Sequence, residues 1–409
     1  MSLSGLEMRP ITSEEYPAFY ANLSVTFGEN DRADEREFGR SILELERTLA
    51  VFDNGQVVAG AAIYSLSMAL AGGPAPVAGV TWVGVRPTHR RRGLLTAMMT
   101  RQLAELHEAG EPVAALWAAE SSIYGRFGYG LASQRVGVRL RRGESSFVQP
   151  FGAAAPLRLG VPADLRPDLR QVYDGLWTDR VGCFARTAPF WENRLYDAEY
   201  QRDGATPLLA VVSDSPGGPD GYALYATKEA TKDSLPAGRV LVREVMATSP
   251  ATYARLWRYL LDIDLMADVV ADNLPVDDPL PHLLRDPRRA RLTLKDGLWV
   301  RLVDVDRALA NRSFGGPVDL VLEVTDESCP WNAGRWHLCG DSSGATCTRT
   351  DAPAELALSA TELGAAYLGG TSLVTLGGAG RVEEHRRGAL AAAARAFAVD
   401  PLPWCPLVF

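Results

Sequence analysis

The chain lacks every paired arrangement of cysteine and histidine that would organise a metal or a disulfide framework. Its five cysteines, Cys183, Cys329, Cys339, Cys347 and Cys405, include no C-x-x-C pair, and its five histidines include no H-x-x-x-H pair. An odd count at irregular spacing excludes a disulfide-built scaffold and reads as reduced cytosolic thiols. No metal ligand set is expected. No run approaches the ~18 apolar residues needed to span a bilayer, and the opening MSLSGLEMRP carries no apolar signal core. A cytoplasmic protein with no membrane partner is expected. Basic charge is also short: 42 Lys and Arg face 50 Asp and Glu, a net charge of −8. That argues against general nucleic-acid binding and permits a cationic substrate as a field effect. No G-x-G-x-x-G follows a strand-like run, which argues against a dinucleotide dehydrogenase.

What is present describes an ordinary globular protein of more than one core. A length of 409 residues, 47% hydrophobic and 22% charged, predicts two or three domains. The most informative stretch runs from Val80 to Leu106. Val80–Val85 is apolar and β-branched, as a buried strand would be, and Arg86 and Pro87 end it. Arg90, Arg91, Arg92 and Gly93 follow, and an apolar helical period begins at once with Leu95, Met98, Met99, Leu103 and Leu106. A helix start offers free N–H groups and a positive dipole end, which suits an anion. Gly93 would let a phosphate approach the backbone. Spacing alone leaves open a plain basic turn before an amphipathic helix.

The remaining pattern places this stretch among other elements. Thr12-x-x-Glu15 fits a capping box for a helix to about Phe27, and a second helix is predicted over 34–49. Asp53-Asn54-Gly55 marks a hairpin between apolar runs, the second extending towards Leu70, and residues 71–79, rich in glycine and proline, read as a loop. Strands are predicted at 113–118 and 133–140, with a short helix holding Tyr124 between them. From about Arg141, after a joint at 143–155, the same element order recurs without the arginine cluster or its glycine, so the second region is predicted to hold no nucleotide site. The third region, from about Val300, shows short strands, a Ser359-capped helix, an alanine-rich helix at 387–397 and a proline-stiffened tail, PLPWCPLVF.

Two further features bear on chemistry. Tyr124 lies in IYGRFGYG, next to the end of the predicted 113–118 strand. A phenol with pKa near ~10 stays protonated at neutral pH and is a credible general acid; an aromatic core residue in a glycine-rich turn is the other reading. The second feature is the terminal residue, Phe409.

The spacing Arg90-x-x-Gly93-x-Leu95 resembles the R/Q-x-x-G-x-G/A pyrophosphate signature of the GCN5-related N-acetyltransferases (GNAT), with Leu95 departing from the small third residue. Together with AAESSIYGRFGYG (118–130), WNAGRW (331–336) and an apolar terminal residue behind prolines, it makes the whole chain resemble the Eis (enhanced intracellular survival) family. The resemblance implies an α/β (α+β) protein with two acetyltransferase-like regions, 1–140 and 141–299, and a sterol-carrier-protein-like α+β domain, 300–409. It implies acetyl-CoA as cosubstrate, held by Val83, Gly84, Val85, Arg91, Arg92, Gly93, Leu94, Leu95, Thr96, Ala119 and Glu120. It puts the general acid on Tyr124 and the general base on the terminal carboxylate of Phe409. The implied acceptors are primary amines of aminoglycoside or polyamine-like molecules or of lysine. The implied assembly is a homohexamer, a trimer of dimers or a dimer of trimers. Glu29, Asp31, Glu37 and Glu120 are candidates by position for an acidic amine pocket, and Cys405 is expected to be structural. A non-catalytic acyl-CoA or lipid-binding protein is the rival reading.

Overall fold

Asn54 and Gly55 both take positive φ (48° and 80°), so the predicted hairpin turns as its sequence demands, joining strands Thr48–Asp53 and Gln56–Leu70. In the computed structural model, residues 5–149 and 156–409 are described; residues 1–4, and 150–155 within the expected joint, lie outside the described residues. The chain forms two compact units: Met1–Ser133 with Leu298–Asp400 and Val408–Phe409, and Gln134–Gly297 with Pro401–Leu407. No helix among the described residues is long and apolar enough to cross a membrane.

The first unit holds a seven-stranded sheet. Its order is Leu6–Arg9, Thr48–Asp53, Gln56–Leu70, Gly73–Val85, Val113–Trp117, Leu298–Leu302 and Gly130–Leu131. Helix Leu94–Ala109 buries Met98, Met99, Leu103 and Leu106 of the face read from its period, together with Leu94, while Leu95, the first residue of that reading, is only half-buried. Met99, Leu103 and Leu106 pack with Ala78, Val80, Ala114 and Leu116, while Leu94 and Met98 pack with Leu49, Val51 and Ala59. The same unit carries a five-stranded sheet built by Val318–Thr325 and its neighbours, with helices Ala360–Tyr367 and Ala389–Phe397. Ser359 caps the first of these in a full capping box with Glu362. Arg312 is buried and has no carboxylate partner among the described residues. Its guanidinium donates instead to the carbonyls of Ser313, Tyr367 and Phe397, the last two at the ends of those helices, where the dipoles are negative.

Four readings of the sequence need correction. The glycine- and proline-rich segment 71–79 is mostly strand, because Pro74 and Pro76 lie where Gly73–Val85 has a partner on one side only, so their missing N–H costs no ladder bond. The second helix ends at Ile42, and Thr48 and Leu49 belong to the next strand. The first helix starts at Tyr16, after Glu15, whose carboxylate accepts from Thr12 N. Finally, Gln134–Arg141 pairs with Met266–Pro275 in the second sheet, and the first sheet takes Leu298–Leu302 instead.

The second unit is a seven-stranded sheet in the order Thr293–Asp296, Gln134–Arg141, Met266–Pro275, Gly238–Ala247, Gly218–Lys228, Leu209–Ser215 and Leu157–Gly160. Helix Pro250–Asp262 packs Leu256, Trp257 and Leu260 on it. A wholly buried Glu244 accepts from Arg186 and from the Tyr222 hydroxyl. Burial alone would raise that carboxyl, but the guanidinium groups of Arg186 and Arg194 outweigh burial and hold it at about 2.

Candidate active site

The first sheet opens at Gly79. Strand Gly73–Val85 pairs in parallel with Val113–Trp117 only through Ala78–Ala114 and Gly79–Ala115. Leu298–Leu302, by contrast, pairs the whole far side of Val113–Trp117. On its other edge, Gly73–Val85 slips register opposite Gly60–Ala62, and Trp82 there has φ 56°. A bulge bends its strand and adds twist, so the segment 80–85 diverges from its parallel neighbour. Its peptide groups on that side meet no strand among the described residues. Val83, Gly84 and Val85 lie on this segment. A Cβ on Gly84 would come 2.8 Å from Thr26 Cγ2, so only glycine lets helix Tyr16–Phe27 seat there.

The basic turn follows. Arg91 has φ 62° and Gly93 φ 81°, and Gly93 sits at the N-cap of Leu94–Ala109 with no side chain capping the first turn. Left-handed residues so close together aim successive N–H groups into one concavity that suits an anion. Arg91, Arg92 and Thr96 are exposed, Leu94 is buried, and Leu95 is half-buried against the core. Arg90 instead braces the turn, donating to Val85 O at 3.3 Å and Thr26 O at 3.4 Å, while His89 pairs with Asp53 at 3.0 Å. These groups fit a diphosphate: an uncapped helix start, a glycine and two solvent-facing guanidiniums. Ala119 and Glu120 are exposed just past Val113–Trp117, with Glu120 at the N-cap of Ser121–Tyr124.

Tyr124 is buried, in the same cluster as Ala78, Val80, Ala114 and Leu116 around the opening, and its ring meets Tyr129 edge-to-face at 6.0 Å. Burial, and then the charge of Glu120, pushes its phenol above the ordinary tyrosine value, which keeps it protonated. Phe409 comes to the opening from the other end of the chain. Its ring is edge-to-face with Tyr64 at 6.5 Å, and a Cβ on Gly79 would come 3.2 Å from its Cε2. The segment behind it, 401–407, is extended and tied within the second unit: Trp404 N donates to Val181 O at 2.9 Å and Trp404 Nε1 to Asn273 Oδ1 at 3.1 Å. Cys405 is buried there, its thiol donating to Leu407 O.

Trp82, which sequence reasoning passed over, faces an aromatic wall. It stacks on Phe19 at 6.2 Å and meets the edge of Tyr20 at 5.9 Å. Burial and then Glu35, Glu29 and Asp31 push the Tyr20 phenol up to about 12. Glu29 and Asp31 of the acidic candidates therefore act on this wall, and Asp31 is also paired with Arg36 at 2.7 Å. Glu120 acts on Tyr124, while Glu37 is merely exposed on helix Ala33–Ile42. Glu35, within 3.5 Å of the Tyr20 hydroxyl, was missed. No local signal announces a left-handed Trp82, because the bulge depends on the partner strand.

In the second unit the parallel pairing of Gly238–Ala247 with Met266–Pro275 likewise stops, at Val242, but no arginine–glycine turn follows, and Ser249 fills the N-terminus of Pro250–Asp262 by accepting from Thr252 N.

Comparison with known proteins follows this division. The family model for an acetyltransferase (GNAT) domain matches residues 7–132, a second GNAT model matches 182–302, and a sterol carrier protein domain matches 305–406. N-acetyltransferase Eis of Mycobacterium bovis is 34% identical over 95% of this chain and 96% of its own. This chain belongs to the Eis family of N-acetyltransferases. An uncharacterised N-acetyltransferase of Streptomyces avermitilis is 43% identical over 98% of both chains. The crystal structure of Eis1 from Mycobacterium abscessus superposes with a TM-score of 0.84 at 31% identity, covering 99% of this chain and 100% of that one. The architecture is thus two GNAT domains and a sterol-carrier-like domain, and the chain is an acetyltransferase rather than a passive lipid binder.

Proposed function

We propose that this Eis-family enzyme transfers the acetyl group of acetyl-CoA to a primary amine by direct attack. The amine lone pair adds to the thioester carbonyl, and the resulting oxyanion accepts from backbone N–H near Val83. The C–S bond then breaks, and Tyr124 gives its phenolic proton to the CoA thiolate. The terminal carboxylate of Phe409 is the base. At a reference pKa near ~3.5 it cannot simply hold an ammonium proton at neutral pH. It attracts and orients the cationic amine, and the proton passes on to water. Val83, Gly84 and Val85 take the amides of the pantetheine arm. Arg91, Arg92, Gly93, Leu94, Leu95 and Thr96 hold the diphosphate, the two leucines through backbone N–H. Ala119 and Glu120 close the far side. The acceptor is an aminoglycoside, polyamine-like or lysine amine, received against Trp82 and Tyr20 by cation–π and carboxylate attraction. The working enzyme is a cytoplasmic homohexamer.

The observation that carries this reading is the Phe409 ring against Gly79, where the parallel ladder stops. Its test uses acetyl-CoA and kanamycin, following free thiol. Tyr124→Phe, and a chain lengthened by a few residues after Phe409, should each lose at least tenfold in kcat, with acetyl-CoA binding unchanged. Full activity of the lengthened chain would remove Phe409 from the mechanism.

A further inference from the structure

Beneath the Ile123–Gly130 turn lies an ion pair that the reaction as drawn does not use. Arg301, on strand Leu298–Leu302, is wholly buried and donates from Nη2 to Asp326 Oδ2 at 2.6 Å. Its Nε and Nη1 find no acceptor among the described residues, and the equally buried Tyr129 hydroxyl finds no partner. The guanidinium lies directly against Gly128, where a Cβ would collide with it. Asp326 is itself fixed: its Oδ1 accepts from Ser328 N (3.2 Å) and Cys329 N (3.0 Å), and its Oδ2 also accepts from Asn332 Nδ2 (3.0 Å). Two hydroxyls hold the same turn by its carbonyls. Thr361 Oγ1 donates to Gly125 O at 2.9 Å, and Ser328 Oγ donates to Arg126 O at 3.2 Å.

A buried ion pair rarely gains stability over a well-packed apolar replacement, and unpaired buried donors cost more still. The turn above it needs a brace from outside, because Gly125, Gly128 and Gly130 give it little stiffness of its own. We propose that Arg301, Asp326 and Thr361 are positioning residues for acid catalysis. They fix Gly125 and Gly128–Tyr129, and the Tyr129 ring, edge-on to Tyr124, holds the phenol on the departing sulfur. The sterol-carrier-like region thereby supplies the floor of the acid's turn. This inference rests on Tyr124 being the general acid.

Steady-state kinetics with acetyl-CoA and kanamycin test it in Asp326→Asn, Thr361→Val and Thr361→Ser, each with Tyr124 intact and with Tyr124→Phe. With Tyr124 intact, Asp326→Asn should lower kcat by about 10- to 100-fold, the scale of a misplacement near 1 Å, with KM for acetyl-CoA within about twofold. Thr361→Val should lose about fivefold, and Thr361→Ser, which keeps the hydroxyl, should restore it. In the Tyr124→Phe background both losses should shrink to under about twofold, since the group they act through is gone. Equal losses in both backgrounds, or an unchanged kcat in Thr361→Val, would overturn the positioning role alone. If Asp326→Asn fails to fold, the Thr361 pair decides by the same criteria. Full turnover by Tyr124→Phe is a separate outcome, which removes the acid assignment and this role together.

Discussion

Asp278 shows how one side chain sets a pH response away from the chemistry. It accepts from the Tyr253 hydroxyl at 2.6 Å and from Leu280 N at 2.9 Å, yet burial dominates and raises its carboxyl to about 6. The folded state therefore binds this proton more tightly than the unfolded chain, whose value is near ~3.9. The stability it contributes is complete below about pH 4 and is lost as pH rises through 6. The melting temperature should step down between about pH 4 and 6, and Asp278→Asn should remove that step. At the cofactor turn, Arg91→Ala with Arg92→Ala should raise KM for acetyl-CoA by about tenfold at low salt, with kcat little changed. A high-salt repeat should show a smaller difference, since exposed charges are screened. The arginine–glycine turn and Tyr124 were visible in the sequence because their signals are local. Trp82, Glu35 and Arg301 were not, because each owes its setting to a strand or helix far away in the chain.

At the scale of elements, hairpin, cap and periodic helix were legible. Asn54-Gly55, the Ser359 cap and the Met98–Leu106 face are specified within a few residues of themselves. The reading failed where pairing decides. Segment 71–79 is strand because Gln56–Leu70 pairs with it despite two prolines, and Gln134–Arg141 alternates as any half-buried strand would whichever sheet receives it. Arg312 joins elements by a different device, spanning the C-termini of two helices. Arg312→Met should leave two buried carbonyls and one half-buried one without this donor and destabilise the protein by about 3–5 kcal/mol, read from denaturant unfolding. Arg312→Lys should recover only part of this, since an ammonium lacks the planar fork that reaches all three carbonyls.

For the whole molecule, the decisive fact is that the first sheet takes a strand, Leu298–Leu302, that follows residues 134–297 of the second unit in the sequence. A fragment of residues 1–140 lacks Leu298–Leu302, which fills the sheet between Val113–Trp117 and Gly130–Leu131. Such a fragment should show no cooperative melting in calorimetry and no acetyl-CoA binding, although it contains the whole arginine–glycine turn. On the ribosome the same arrangement imposes a wait. Residues 134–297 must be synthesised before the missing strand emerges. At about 5–20 residues per second that leaves the nascent acetyltransferase half incomplete for on the order of ten to thirty seconds. Throughout that interval its open edge is a target for holdase chaperones, and a ribosome stalled within the middle region would strand it there.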